Sequence, residues 1–269
     1  MEALHPDWLI PDWPAPGGVR ALFTTRQGGV SAVPYASLNL GDHVGDVATR
    51  VAANRALLGR SIGAAPVFLQ QMHGTHLLAI DGNTVSGRQA DAAITTQRGI
   101  ACTILVADCL PVFLSTLDGT VIAAAHAGWR GLAGIQGRGI LEEVYEGFSA
   151  LALIGWAQSA INIIAWLGPC IGPSAFEVGA EVRAAFVAGN PQAARCFTPS
   201  AGKYLADLPG LARLRLQALG ITRIYGNDGS APWCTVGNGS RFFSHRRDAG
   251  VPGNGFNTTG RMAACIWRE

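Results

Sequence analysis

VIAAAHAGWRG, residues 121–131, changes character at its midpoint. Val121 to Ala125 are small or β-branched apolar residues, the composition of a strand buried on both faces. They run straight into His126, a Gly-Trp pair and Arg130. A strand that ends on an imidazole is how an α/β protein places chemistry at a sheet edge. Just upstream, Asp118-Gly119 is a turn signal that joins Pro111–Thr116 to Val121–Ala125 as a hairpin. A hairpin excludes an all-parallel sheet.

The same reading extends outward. Val19–Thr25, Pro66–Met72, Ala101–Ala107, Ile161–Leu167, Arg241–His245 and Arg261–Trp267 are expected strands. Helices are expected over Asp46–Leu58, over Val178–Val187, over Asp207–Leu219 and around Leu141, Val144, Tyr145 and Phe148. Those last four fall at i, i+3, i+4 and i+7. Strands interleave with helices while some are hairpin-linked, which predicts an α/β protein with mixed sheets. Neither a repeat nor a low-complexity linker divides the chain, so residues 1–269 are read as one domain. Arg26–Gly41 is a long loop rich in Gly, Pro and Ser and a candidate binding loop.

Apolar residues make up 49% of the 269 and charged ones 14%, which excludes a disordered chain. A net charge of +2 gives no electrostatic case for nucleic acid or an anionic membrane surface. Ala150–Gly168 is the longest apolar stretch, but Gln158, Ser159 and Asn162 interrupt it. It reads as a helix end, a loop and a strand rather than a membrane span. MEALHPDWLIPDWP at the start has acidic residues and prolines where a secretory signal needs a cationic, then apolar, segment. A cytoplasmic protein with reduced thiols is expected, and its six cysteines lack CxxC spacing.

Three apolar stretches end in a metal-capable side chain: QQMHG at His73, VADC at Cys109 and AAAHAGW at His126. Two imidazoles and a thiolate suit zinc, and three protein ligands leave a fourth position open, as in catalytic sites. His76, in the same HGTH stretch, competes with His73. His5 and His43 read as surface residues. Each ligand also has an ordinary reading, since a Cys after a strand is often a small core residue. The same atoms further permit Cys109 as nucleophile with His126 as its base. Asp108 need not orient His126, because adjacent strand residues point to opposite faces.

QMHG (71–74), ADCLP (107–111), HAGWRG (126–131), LGPCIGPSAFEVG (167–179), FFSHRRD (242–248) and TTGR (258–261) resemble, in this order, motifs of the laccase-domain family. TTRQGGVSAVPYASLNLGDHVGD (24–46) is similar to the family's N-terminal segment. Members were first called multicopper polyphenol oxidases and are now regarded as purine nucleoside phosphorylases. The resemblance implies a four-layer α-β-β-α fold and a zinc site at His73, Cys109 and His126. It implies phosphorolysis of adenosine, inosine, guanosine and methylthioadenosine, with adenosine deamination besides, by a monomer whose partners are nucleoside and phosphate. Related bacterial proteins are linked to quality control of peptidoglycan precursors. A fold relative, the catalytic domain of cytotoxic necrotizing factor toxins, deamidates glutamine with a Cys–His pair. A Cys–His hydrolase or amidase and a copper-dependent phenol oxidase are therefore the alternatives. The chain departs from the family pattern at Ala212 and Arg215, where many members have Asn and Gln, and at His245, where they often have Tyr.

Phosphorolysis needs an anion site, and Arg26, Arg247 and Arg261 are the candidates, since a guanidinium binds phosphate bidentately. Asn39 faces either a ribose hydroxyl or its own Asx turn. Arg130 is expected to pack on Trp129, and Cys170 to be structural. The HxE and PCxxC signature of zinc deaminases is absent from the sequence.

Overall fold

Continuous runs of mostly apolar residues build the centre of the molecule, because the strands Ala92–Thr95, Ile100–Val106, Leu110–Thr116, Ile122–Ala127, Ile163–Leu167 and Met262–Arg268 are buried on both faces and each face meets a different layer. A computed structural model describes residues 3–155, 162–249 and 258–269. In chain order the strands and helices are β1 (Val19–Phe23), α1 (Ala48–Ile62), β2 (Ala65–Phe68), β3 (Leu77–Ala79), β4 (Ala92–Thr95), β5 (Ile100–Val106), β6 (Leu110–Thr116) and β7 (Ile122–Ala127). Then come α2 (Trp129–Ala133), α3 (Ile140–Gly155), β8 (Ile163–Leu167), β9 (Glu177–Val178), α4 (Ala180–Val187), β10 (Phe197–Ser200) and β11 (Lys203–Ala206). The chain closes with α5 (Leu208–Ala218), β12 (Arg223–Gly226), α6 (His245–Asp248) and β13 (Met262–Arg268).

Two large sheets result, one in the order β1-β13-β5-β2 and one in the order β12-β8-β6-β7-β4-β3. Both are mixed: β2–β5, β3–β4 and β8–β12 pair in parallel, while the hairpin β6–β7 and the pair β1–β13 are antiparallel. A small sheet, β10-β11-β9, lies beside α4.

The period of two along each strand decides the layering. Ile104 and Val106 of β5, Ala264 and Ile266 of β13, Ile122 and Ala124 of β7, and Phe113 of β6 share one cluster, which is the seam between the large sheets. Phe113 stacks on Trp166 there at 5.2 Å. The alternate residues face outward. Ala123 and Ala125 of β7, with Val112 and Leu114 of β6, meet Val144 and Phe148 of α3 and Leu211 of α5. Ala101 and Leu105, with Ala263 and Cys265, meet Leu58 and Ile62 of α1. The order helix, sheet, sheet, helix is the four-layer arrangement that the family resemblance implies. Each fully buried Leu, Ile or Phe contributes roughly 1.5–3 kcal/mol.

Helix ends follow local chemistry. α1 stops at Gly63, which takes φ 65° and donates its N–H to Gly59 O. Asp207 caps α5 by accepting from Gly210 N, and Pro209 occupies the first turn. In α5 the two departures from the family pattern have structural roles. Ala212 is fully buried, and Arg215 donates to Ala133 O and Gly137 O, bracing the loop after α2.

Several expectations are corrected. The strand expected over Pro66–Met72 ends at Phe68, because the chain beyond it curls around the Asp91 carboxylate. Arg241–His245 is a turn leading into α6, capped by Ser244, and its apolar Phe242 and Phe243 fill the inter-sheet core without joining a ladder. Residues 177–178 pair as a strand, so the helix expected from Val178 begins at Ala180. The loop expected within Ala150–Gly168, and the first residue of the strand expected from Ile161, lie outside the described residues. Either side of it are the end of α3 and the start of β8, and among the described residues no helix is long and apolar enough to cross a membrane.

Candidate metal centre and its pocket

His126 has the parity of Ile122 and Ala124, so strand periodicity aims its ring into the seam between the sheets at the end of β7. Cys109 sits in the tight turn from β5 to β6, just after Asp108, which adopts φ 90°. His73 lies in the loop after β2, also left-handed at φ 58°. The register of β6 against β7 opposes Leu110 to Ala127, bringing Cys109 beside the end of β7. The ligand atoms of His73, Cys109 and His126 all lie within 4.8 Å of one another. Cys109 Sγ is 3.7 Å from His73 Nε2, and the two imidazoles meet edge to face at 4.7 Å. His76 is not part of the group, which settles the competition within HGTH.

The donor set fits a borderline-soft ion. Two neutral imidazoles and a thiolate are ligands that zinc prefers, and the backbone leaves room only for hydrogen at Gly128. A Cβ on Gly128 would stand 2.9 Å from Cys109 Sγ. Burial pushes the Cys109 thiol up, but His126 and then His73 outweigh this and bring it to about 6. Burial likewise pushes His126 down, while the Cys109 thiolate and Asp91 bring it up to about 9. Without a cation the pair therefore holds its proton on the imidazole, as thiolate and imidazolium.

Asp91 went unnoticed in the sequence. It immediately precedes β4 and is 1% exposed. Its Oδ1 accepts from His126 Nδ1 at 2.8 Å and from His73 N at 2.9 Å. Its Oδ2 accepts from Met72 N and Gly74 N at 3.1 and 2.7 Å. Burial raises its pKa, and the hydrogen bond and charge of His126 more than offset that, so the carboxylate stays ionised. An acid directly before a buried apolar strand was the available signal. Asp108 turns the other way: it accepts from Thr235 Oγ1 and from Arg246 N and has no hydrogen bond to His126.

The three ligands all line one cavity of about 280 Å³. Ile171, Phe176, Trp129 and Leu208 give it an apolar wall, while His43, His245, Arg246 and Arg261 give it a basic one. His43 is the exposed loop residue that the sequence suggested, and it also lines the pocket. Its pKa is lowered by burial and by the Arg261 cation. Arg261 donates Nη1 to Thr259 O and Gly260 O. Burial lowers its pKa, against the attraction of Cys109 and Asp108.

The other expected anion-site residues are placed elsewhere. Arg26 donates to Ala36 O and Gly239 O and lies 4.6 Å over the Phe243 ring. Arg247 clasps Asp248 and donates to the carbonyls of Thr235, Val236 and Phe242. Asn39 is fully buried, accepting from Gly41 N and Arg261 N and donating to Asp46. None of these three reaches the cavity wall, because backbone carbonyls and acids of the surrounding loops occupy their polar atoms. Asn39 instead anchors the backbone of Arg261. Arg130 packs over Trp129 at 4.5 Å, and Cys170 is buried within the core, as expected of both.

Comparison with known proteins agrees with this geometry. The family described as multi-copper polyphenol oxidoreductase laccase matches residues 20–269. The chain is 45% identical over 261 residues to the purine nucleoside phosphorylase YfiH of Escherichia coli, covering 96% of this chain and 98% of that one. It is 44% identical to a purine nucleoside phosphorylase of Pseudomonas aeruginosa, over 97% and 98% of the two chains. Among solved structures, a Neisseria meningitidis protein superposes with a TM-score of 0.83 at 40% identity, covering 98% and 99%. YlmD of Geobacillus stearothermophilus does so at 0.80 and 32%, covering 95% and 94%. With the ligand motifs, the layered fold and the match over nearly all its length in agreement, the chain belongs to the multi-copper polyphenol oxidoreductase laccase family.

Proposed function

We propose that the chain is a zinc-dependent purine nucleoside phosphorylase that cleaves adenosine, inosine, guanosine and methylthioadenosine with inorganic phosphate. The observation that carries this reading is the convergence of His73, Cys109 and His126 in a cavity that Arg261 also lines. The names of the relatives from Escherichia coli and Pseudomonas aeruginosa support it. Six free cysteines suit a reducing, cytoplasmic setting.

His73, Cys109 and His126 would hold the ion. When bound, zinc supplies a Lewis acid that polarises a substrate oxygen. The remaining work falls to the chain's own groups. Trp129, Ile171, Phe176 and Leu208 offer an apolar surface for a flat purine and exclude water from the reacting carbon. Arg261 offers guanidinium donors to phosphate, while Arg246, whose Nη1 and Nη2 donate to Ala175 O and Glu177 O, adds a nearby positive charge. A phosphate oxygen then forms the bond to C1′ of the ribose while the bond from C1′ to the purine nitrogen breaks. Its electron pair leaves with the purine, which takes up the proton that hydrogen phosphate gives up on becoming the ribose ester. Fixed cations hold the incoming anion beside C1′, so that its attack becomes an effectively intramolecular step. Deamination has less support, since Asp91 and Asp108 are both engaged by other donors. Several copper ions cannot share one three-ligand group, the only such group among the described residues.

The test is metal analysis together with an inosine-plus-phosphate assay of wild type and His126→Ala. One zinc per wild-type chain and ribose-1-phosphate formation are expected, and both should be lost in the variant. Undiminished turnover by a zinc-free variant would exclude this mechanism.

A second reading is favoured by the lowered Cys109 thiol beside His126: a metal-free Cys–His hydrolase or amidase, with peptidoglycan precursors as substrates. Wild-type protein purified without zinc, active on an amide and inactivated by one equivalent of iodoacetamide, would establish it over the first.

A further inference from the structure

One oxygen of one carboxylate contacts the loops or rings of two ligands. Asp91 Oδ1 lies 2.9 Å from His73 N and 2.8 Å from His126 Nδ1. Its partner Oδ2 takes Met72 N and Gly74 N, so three successive backbone N–H groups close around the anion as a nest. His73 sits within that nest at φ 58°, a left-handed conformation that strains a non-glycine residue and persists only where its surroundings enforce it. The backbone of His126 is tied to the same residue, its N–H donating to Asp91 O at 2.7 Å.

We propose that Asp91 is the positioning residue of the metal centre: it holds the His73 loop in its ligating conformation and keeps the His126 proton on Nδ1, leaving Nε2 for the ion. This inference rests on the metal-centre reading above and assigns Asp91 no contact with substrate.

The substitution Asp91→Asn discriminates between this role and mere space-filling. It leaves one accepting oxygen where the carboxylate has two, and the new NH₂ must face one of the two sets of donors. Turned to Met72 and Gly74, the amide opposes donor to donor and opens the nest. Turned to His126, it donates to Nδ1, which forces the ring proton onto Nε2, the tautomer that cannot ligate. Either orientation weakens the centre without altering a ligand.

The experiment is a titration of metal-free wild type and Asp91→Asn with Co²⁺ and Zn²⁺ against a competing chelator. Near-ultraviolet circular dichroism checks the fold. The Co²⁺ spectrum reports the ligands directly, through the thiolate charge-transfer band of Cys109 and the d–d intensity. Removing an outer carboxylate partner costs about 10–100-fold in metal affinity, and that loss is expected here with the thiolate band retained and the d–d bands altered. A folded Asp91→Asn protein that binds both ions within threefold of wild type, with the same spectrum, would overturn the proposal. Nitrogen-15 spectra of histidine-labelled wild type give a second answer, needed if the variant does not fold. In the zinc-loaded protein, or at a pH high enough to leave the ring a single proton, a proton on His126 Nδ1 supports the proposal and a bare Nδ1 overturns it. Wild type that binds neither ion would overturn the metal reading instead, and the Nδ1 measurement on that metal-free protein would still decide the role of Asp91.

Discussion

Gly128→Ala is expected to weaken the centre while leaving the fold standing. Gly128 has φ −62° and ψ 156°, an extended conformation that alanine adopts freely, so the substitution adds a methyl group and no backbone strain. That methyl would lie 2.9 Å from Cys109 Sγ and 3.1 Å from His73 Cδ2. Resting contacts between such atoms begin near about 3.5 Å, so two of the three ligands must yield by roughly 0.4–0.6 Å. Functional constellations tolerate about 0.5 Å, and a misplacement near 1 Å costs on the order of 100-fold. A shift of about half that size is expected to cost roughly 10-fold in kcat/KM, or about 1.4 kcal/mol of transition-state stabilisation, with zinc affinity falling as well. Overpacking at one site costs about 1–3 kcal/mol of stability, so the variant should remain folded. Chelator competition, phosphorolysis of inosine and thermal denaturation measure the three quantities. Gly17→Ala, where nothing lies within 4 Å of the added carbon, is the control. If Gly128→Ala kept zinc affinity and kcat/KM within threefold of wild type, the crowding argument would be refuted.

Two further outcomes separate pocket from scaffold. Arg261→Ala should raise KM for phosphate by about 10–100-fold, the scale of a charge-assisted hydrogen bond, whereas Arg26→Gln should lower the melting temperature, because its guanidinium holds loop carbonyls. Equal effects of both variants on the phosphate KM would contradict this division. Burial raises the pKa of Asp248, but Arg247, Ser244 N and Thr259 outweigh it, so the folded value lies below the usual carboxylate range. A depressed folded pKa contributes stability that is present above the unfolded value, about 3.9, and disappears as pH falls through the folded one. Urea unfolding should accordingly find Asp248→Asn less stable than wild type at pH 7, with the gap narrowing below about pH 4. A gap independent of pH would show that the ion pair is not its source.

The elements with a strong local signal were legible without coordinates: the β6–β7 hairpin around Asp118-Gly119, α5 behind Asp207, and β5 as a continuous run of mostly apolar, β-prone residues. Elements held by partners distant in the chain were not. Leu77–Ala79 and Arg223–Gly226 are short edge strands that, among the described residues, pair with β4 and β8 alone, and nothing local marks them. Phe242 and Phe243 misled in the opposite sense, since an apolar pair signals burial without saying whether a ladder or a turn delivers it. The arginines show the same limit. Arg26, Arg247 and Arg261 are equivalent as residue types, and only the position of the surrounding carbonyls decides which two are consumed by the scaffold and which one faces the pocket.

By itself the sequence determined the kinds of donor on offer. Side-chain chemistry is local, so histidines and a cysteine at the ends of apolar stretches already mark groups suited to a borderline-soft ion, with His76 still competing with His73. Convergence, orientation and accessibility were decided by the tertiary structure. Strand register brings Cys109 to His126, a carboxylate 35 residues upstream of His126 fixes its ring, and packing of loops around Arg261 shapes the cavity that Cys109 and His126 line. Those are properties of contacts between segments far apart in the chain, and no single segment carries them.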